Sequence, residues 1–225
     1  RLCFFAINAC GLCFGKGDLM LNEKMVSLGM RRSVIREIFE YGKKRKAEIG
    51  EENVFDFSLG NPSVPTPAAV TAALERIIKE TDPVRLHGYT SAQGDTAVRA
   101  KIAGSIEERF GFPANKDLIY MTCGAAASLT VTLNALINSG DEIIIPSPFF
   151  PEYRVFAENA GARVVTVQCR KPDFQLDIKA TENAVTEKTK ALILNSPSNP
   201  NGCVWSESDL RAIADLAVEK GFYII

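Results

Sequence analysis

From Asp117 onward the chain alternates short apolar runs with longer helix-patterned segments, and this alternation constrains the fold more than any other feature. The runs are "LIYM", "EIIIP", "RVVTVQ", "KALILN" and "FYII". Each is too short for a buried helix and rich in β-branched residues, so each reads as a strand. Strands alternating with helices form βαβ units and a largely parallel sheet, an α/β architecture. Such sheets bind ligands beyond the C-terminal ends of their strands. The unusual residues of this chain sit there: Thr122 to Ser128, Ser147 to Pro151, and Asn195 to Gly202.

The helices between these strands have recognisable signals. A segment from Leu129 to Ile137, a second ending near Gly161, and a weaker one over 174–187 read as helices. Ser206 with Asp209 predicts a capped start for a helix whose face is Leu210, Ile213, Ala214 and Ala217. Upstream, residues 31–48 predict a helix with Val34, Ile35, Ile38 and Phe39 on one face, and its basic "KKRK" reads as a solvated C-terminal end. "FDFSLGNPSVPTP" predicts a short alternating strand, Phe55 to Leu59, then a loop. Thr66 and Pro67 suit the cap and first position of a helix running to about Glu80. "HGYTSAQG" reads as a loop, and Asp95 to Phe110 as another amphipathic helix.

Composition narrows the function classes. Lys plus Arg number 26 and Asp plus Glu 27, so no basic excess points to nucleic acid or an anionic membrane. The single histidine, His87, excludes a His-rich metal site. The opening "RLCFFAINACGLCFG" is too short to span a bilayer as a helix. It has the apolar character of a signal-peptide core but no clean cleavage site. Cys10 and Cys13 form a CxxC without a second ligand pair for zinc. "KGDL" directly before Met20 suits translated upstream sequence, so the protein is expected to start at Met20 and residues 1–19 to be a non-native or leader segment. The remaining cysteines, Cys123, Cys169 and Cys203, stand alone in apolar runs, as expected of a reducing, cytoplasmic setting without disulfides.

Each strand exit carries a ligand-type signal beside a plainer reading. In "TCGAAASL", Gly124 to Ala126 would open a helix whose small side chains leave backbone N–H groups accessible. That is a phosphate site by physics, or else tight helix–sheet packing. It lacks both GxGxxG and the Lys-Ser/Thr of a P-loop. In "SPFFPEY", an aromatic side chain could stack on a flat ring or fill the core. In "NSPSNPNG", Asn199 before Pro200 is disfavoured from helix and could present its amide to a ligand oxygen, or make an ordinary Asn-Pro turn.

Together, and in this order, these stretches resemble the fold-type I pyridoxal-phosphate aminotransferases of class I and II. "NSPSNPNG" is similar to the family's N-x-P-x-N-P-[T/N]-G, "TCGAAASL" to its phosphate-binding turn, and "PSPFFPEY" to the loop with its ring-stacking aromatic. "LGNPSVPTP" resembles its N-terminal G-x-P segment, and "GYTSAQGDTAVRAKIA" its Y-T-x-x-x-G-x-x-x-L-R region, with Val98 at the Leu position. The resemblance runs from about Met25 to Ile225. It implies a three-layer α/β/α large domain with a mostly parallel sheet over 61–225, truncated, and an N-terminal arm and small-domain segment over 20–60.

The resemblance also implies roles. Gly124, Ala125 and Ala126 would offer N–H groups to the cofactor phosphate, and Phe150 would stack on the pyridine ring. Asn199 would hydrogen-bond the ring hydroxyl oxygen and lie near the substrate carboxylate, beside Gly60. Tyr89 would reach the cofactor phosphate of a neighbouring subunit in a homodimer, and the bonds before Pro148 and Pro200 would be cis. The Schiff-base lysine and the aspartate on the pyridine nitrogen are expected beyond Ile225, so these residues hold the cradle but none of the covalent chemistry, and alone are expected to be inactive and to expose an apolar sheet edge. The implied activity is amino transfer between an amino acid and a 2-oxo acid, without nucleic acid or membrane. Carbon–sulfur lyase or β-eliminase chemistry on the same cradle, and a non-catalytic cofactor-binding remnant, stand beside it.

Overall fold

The structure, a computed structural model, describes residues 23–30, 34–60, 62 and 64–225. The expectations about residues 1–19, the start at Met20 and the CxxC lie outside the described residues, as do positions 31–33 of the predicted first helix. Two compact units divide between His87 and Gly88.

The first unit contains helices α1 (Glu23–Met30), α2 (Val34–Ile49), α3 (Ala68–Glu80) and α4 (Pro83–His87). Gly42, buried on α2, lies under Asp56: a Cβ there would sit 2.9 Å from Asp56 Oδ2. Asp56 pairs with Lys46 at 3.5 Å and accepts hydrogen bonds from the Ser58 amide at 3.0 Å and the Ser58 hydroxyl at 2.6 Å. This turn corrects the strand predicted over Phe55 to Leu59, for which no partner strand exists among the described residues. Phe55 and Phe57 are exposed, so their alternation with polar residues marks no buried sheet face. The predicted Thr66 cap also fails: Pro67 occupies the cap position and no side chain bonds the start of α3.

The second unit opens with α5 (Thr96–Phe110), whose cap Asp95 accepts from Ala97 N and Val98 N. Helix α6 (Ala125–Leu136) begins four residues earlier than its apolar pattern suggests. Then follow β1 (Glu142–Ser147), α7 (Glu152–Asn159), β2 (Arg163–Gln168), α8 (Ile178–Ala184), β3 (Thr189–Leu192), α9 (Glu207–Lys220) and β4 (Tyr223–Ile224). The sheet order is β2-β1-β3-β4 and every pairing is parallel.

Side-chain alternation along β1 explains the layers. Ile143 and Ile145 join Ala191, Ile193, Leu133, Ile137 and Ala157 on one face, under α6 and α7. Ile144 joins Leu192, Val167, Ile213, Leu216 and Ala217 on the other, under α8 and α9. The result is a three-layer α/β/α unit with a parallel sheet, as the resemblance implies. On α9 the buried face runs through Ile213, Leu216 and Ala217, while the predicted Ala214 is exposed. The predicted strand "LIYM" is absent: Lys116–Leu118 forms a 3-10 turn, and the extended residues after it bond the Gln93 carbonyl through Met121 N at 3.0 Å.

Candidate functional site

Strand β1 sits between β2 and β3, so the chain leaves its C-terminal end first to one side and later to the other. Open α/β sheets form a ligand crevice at such a reversal. Here β1 and β3 stay paired only to Ile144 and Leu192, with Ile193 N still donating to Ile144 O at 3.0 Å. Beyond that the strand exits part around a slot. Ile145 and Ile193 line its base, with Pro146, Phe149, Tyr153, Asn195, Ser198, Asn199 and Trp205 around it.

At the exit of β3 the polar atoms bond each other. Asn195 Oδ1 accepts from Asn199 N at 2.8 Å. Ser198 N donates to Cys203 O at 2.8 Å and Gly202 N to Ser198 O at 2.7 Å. Gly202 has φ 70°, a left-handed turn that glycine adopts without strain. Asn201 Oδ1 accepts from Cys203 N at 3.0 Å. The bonds before Pro148 and Pro200 are cis, as the resemblance implies, and so are those before Pro172 and Pro197. Among the described residues, Trp205 Nε1 is the one buried side-chain polar atom without a partner.

The aromatic side of the slot comes from the β1 exit. Phe149 and Tyr153 line it, and burial pushes the Tyr153 hydroxyl above its ordinary pKa. Phe150, the residue singled out by sequence, stands beside the slot, edge-on to Tyr153 with ring centroids 5.6 Å apart. Sequence reasoning passed over Phe149, Tyr153 and Asn195. The signal for Asn195 was present, since it is the first asparagine of its own motif.

The third predicted stretch, "TCGAAASL", follows no strand among the described residues and forms the start of α6. Its cap is Gly124, φ 87°, and no side chain caps it, whereas Asp95, Asp177 and Ser206 cap α5, α8 and α9. A Cβ built on Gly124 would meet nothing within 4 Å, so the approach is open. Thr122 Oγ1 and Ser128 Oγ are bonded at 2.5 Å and turn toward each other and the Gly124 carbonyl. Gly124, Ala125 and Ala126 are exposed. A helix end with free N–H groups, partial positive charge and no competing side chain fits a phosphate. Tyr89 is fully exposed on the segment before α5. Gly60, in the first unit, is also exposed, with open space where a Cβ would stand.

The profile of "Aminotransferase class I and II" matches residues 52–225. The chain belongs to that family. It is 34% identical over 193 residues to the aspartate aminotransferase of Musicola paradisiaca, covering 84% of this chain and 46% of the relative. It is 32% identical over 203 residues to the aspartate aminotransferase of Thermotoga maritima, covering 89% and 53%. A crystal structure of an amino transferase from Eubacterium rectale matches with TM-score 0.86 and 47% identity, over 92% of this chain and 53% of that one. The chain thus spans about half the length of the curated relatives it matches.

Aminotransferases of this family work with pyridoxal phosphate, and the residues present fit that cofactor. The uncapped start of α6 suits its phosphate, and the slot between the β1 and β3 exits combines aromatic walls with the amide side chains of Asn195 and Asn199. No lysine or aspartate lines the slot among the described residues. Nor do any described residues form a metal-ligating cluster or a helix long and apolar enough to cross a membrane.

Proposed function

We propose that this chain supplies the cofactor cradle of an amino acid aminotransferase, which moves an amino group from an amino acid to a 2-oxo acid. The observation that carries the reading is the β3 exit, where Asn195 fixes the backbone of Asn199 beside the aromatic slot within the segment that matches the family. Bound pyridoxal phosphate supplies an electron sink for the transfer. Gly124, Ala125 and Ala126 hold the phosphate through backbone N–H groups. Asn199 would donate its amide to the oxygen of the ring hydroxyl and lie near the substrate carboxylate, and the family pattern gives Gly60 a substrate-binding role of its own. The family pattern assigns the ring-stacking role to Phe150, which stands beside the slot wall formed by Phe149 and Tyr153. Tyr89, fully exposed, reaches the phosphate held by a second copy, which makes the working form a homodimer. The setting is the reducing cytoplasm that the isolated cysteines suit.

The test uses the full-length protein that contains this chain. Purified with pyridoxal phosphate and given an amino acid plus a 2-oxo acid, it should form the new amino acid and the new oxo acid in equal amounts. Ammonia released without an acceptor would favour β-elimination instead, and failure to retain the cofactor would overturn the reading.

A further inference from the structure

Arg99 is an arginine buried in a place the cofactor reading does not use. It lies on α5 with only 4% of its surface exposed. A buried guanidinium is costly unless its donors are engaged, because it gives up strong hydration. Here Nε donates to Gly94 O at 3.2 Å, Nη1 to Lys116 O at 2.8 Å, and Nη2 to Thr96 Oγ1 at 3.2 Å. The Asp117 carboxylate lies 3.8 Å from Nη1. The two carbonyls belong to different segments. Gly94 closes the segment that carries Tyr89, and Lys116 opens the turn that runs on toward Thr122 and Gly124.

Independent contacts close the same seam. Met121 N donates to Gln93 O at 3.0 Å. Gly94 has φ 97°, and a Cβ there would lie 2.5 Å from Met121 Cγ and 2.7 Å from Met121 Cβ. Only glycine fits at that approach. Ser91 Oγ also donates to the Gly94 carbonyl at 2.5 Å. Tyr89 itself is fully exposed, and among the described residues no hydrogen bond or ring contact holds its side chain, so its position depends on how the backbone beneath it is fixed.

We propose that Arg99 is a positioning residue for Tyr89. Its guanidinium latches the Tyr89 segment to the Lys116–Met121 segment, so the phenol is presented at a fixed place relative to the phosphate turn of its own chain while it serves the cofactor of a second copy. This rests on the proposed role of Tyr89.

The experiment is a double-mutant cycle in the full-length protein, read as the dissociation constant of pyridoxal phosphate by fluorescence, with thermal unfolding recorded for each variant. Tyr89→Phe and Arg99→Met are each expected to weaken cofactor binding about tenfold, and the double variant no more than about tenfold, because both act on one contact. Arg99→Lys, which keeps the cation and part of the donor set, should recover part of the loss. If the double variant loses about a hundredfold, the product of the two single effects, Arg99 is merely structural and the proposal is overturned. If Tyr89→Phe binds normally while Arg99→Met does not, the role of Tyr89 fails and the proposal falls with it. Should Arg99→Met not fold, Gly94→Ala opens the same seam by displacing Met121 and is expected to show the same non-additivity with Tyr89→Phe.

Discussion

Replacing Asn195 by alanine should loosen the β3 exit and weaken cofactor binding without unfolding the sheet. In the native loop Asn195 Oδ1 is the acceptor for Asn199 N at 2.8 Å. The substitution removes that acceptor and leaves the other loop bonds, at Ser198, Gly202 and Cys203, in place. One such neutral hydrogen bond contributes about 1 kcal/mol. In a chain of this size that lowers the melting temperature by roughly 2–4 °C. The same energy shifts the loop equilibrium about fivefold, so the apparent cofactor affinity falls by up to about fivefold. Hydrogen exchange gives the residue-level check: the Asn199 amide should lose protection, while the Ser198 and Gly202 amides, which keep their acceptors, should not. Asn195→Asp retains an acceptor and should keep the Asn199 amide protected. An alanine variant with native cofactor affinity and a still-protected Asn199 amide would refute the reasoning.

Three further expectations follow from other parts of the molecule. The Arg163 guanidinium, with help from Thr186 Oγ1 at 2.8 Å, holds the buried Glu142 carboxyl below its ordinary value of 4.5. Its contribution to stability is therefore full above that value and fades as pH falls through the lower folded one, and denaturant titrations of Glu142→Gln should lack this acid-side loss. Leu192→Ala, fully buried at the centre of the sheet, should cost about 3 kcal/mol in urea unfolding with little change in slope. Cys123 is exposed directly before Gly124, whereas burial pushes the Cys169 thiol up to about 11. Peptide-resolved alkylation at pH 8 should label Cys123 and spare Cys169, and pyridoxal phosphate should slow the labelling of Cys123.

The sheet was legible because its central strands are buried on both faces, and such strands show as unbroken apolar runs such as Ile143 to Ile145. The capped helices were legible for a local reason: Asp95 and Ser206 bond the first turn of their own helix. Strands that depend on a distant partner were misread. Phe55 to Leu59 alternates like a strand, but a carboxylate–hydroxyl turn between Asp56 and Ser58 takes up its polar groups. Leu118 to Met121 is apolar, yet Met121 N bonds the Gln93 carbonyl of a loop and not a neighbouring strand. The motifs located the exits of β1 and β3 and the open start of α6, which no strand precedes among the described residues. They did not show which neighbour turns inward, and so Phe149 and Tyr153 line the slot while Phe150 stands edge-on beside them. Phe149 and Tyr153 pack on the apolar face under α6 and α7, a contact that no local pattern encodes.

The strand order β2-β1-β3-β4 has a consequence for a chain emerging from the ribosome. Of these four strands the first made is a central one, and its second neighbour, β3, follows only after β2 and α8. From the moment β1 and β2 pair until β3 docks, the row of Ile143, Ile144 and Ile145 has one bare flank. Unpaired apolar flanks recruit other chains. Pro146 stands at the slot end of that row, where it offers no N–H to an intruder, and the finished ladder with β3 has already ended before it. A residue that lines the slot in the folded protein thus also guards the newborn one.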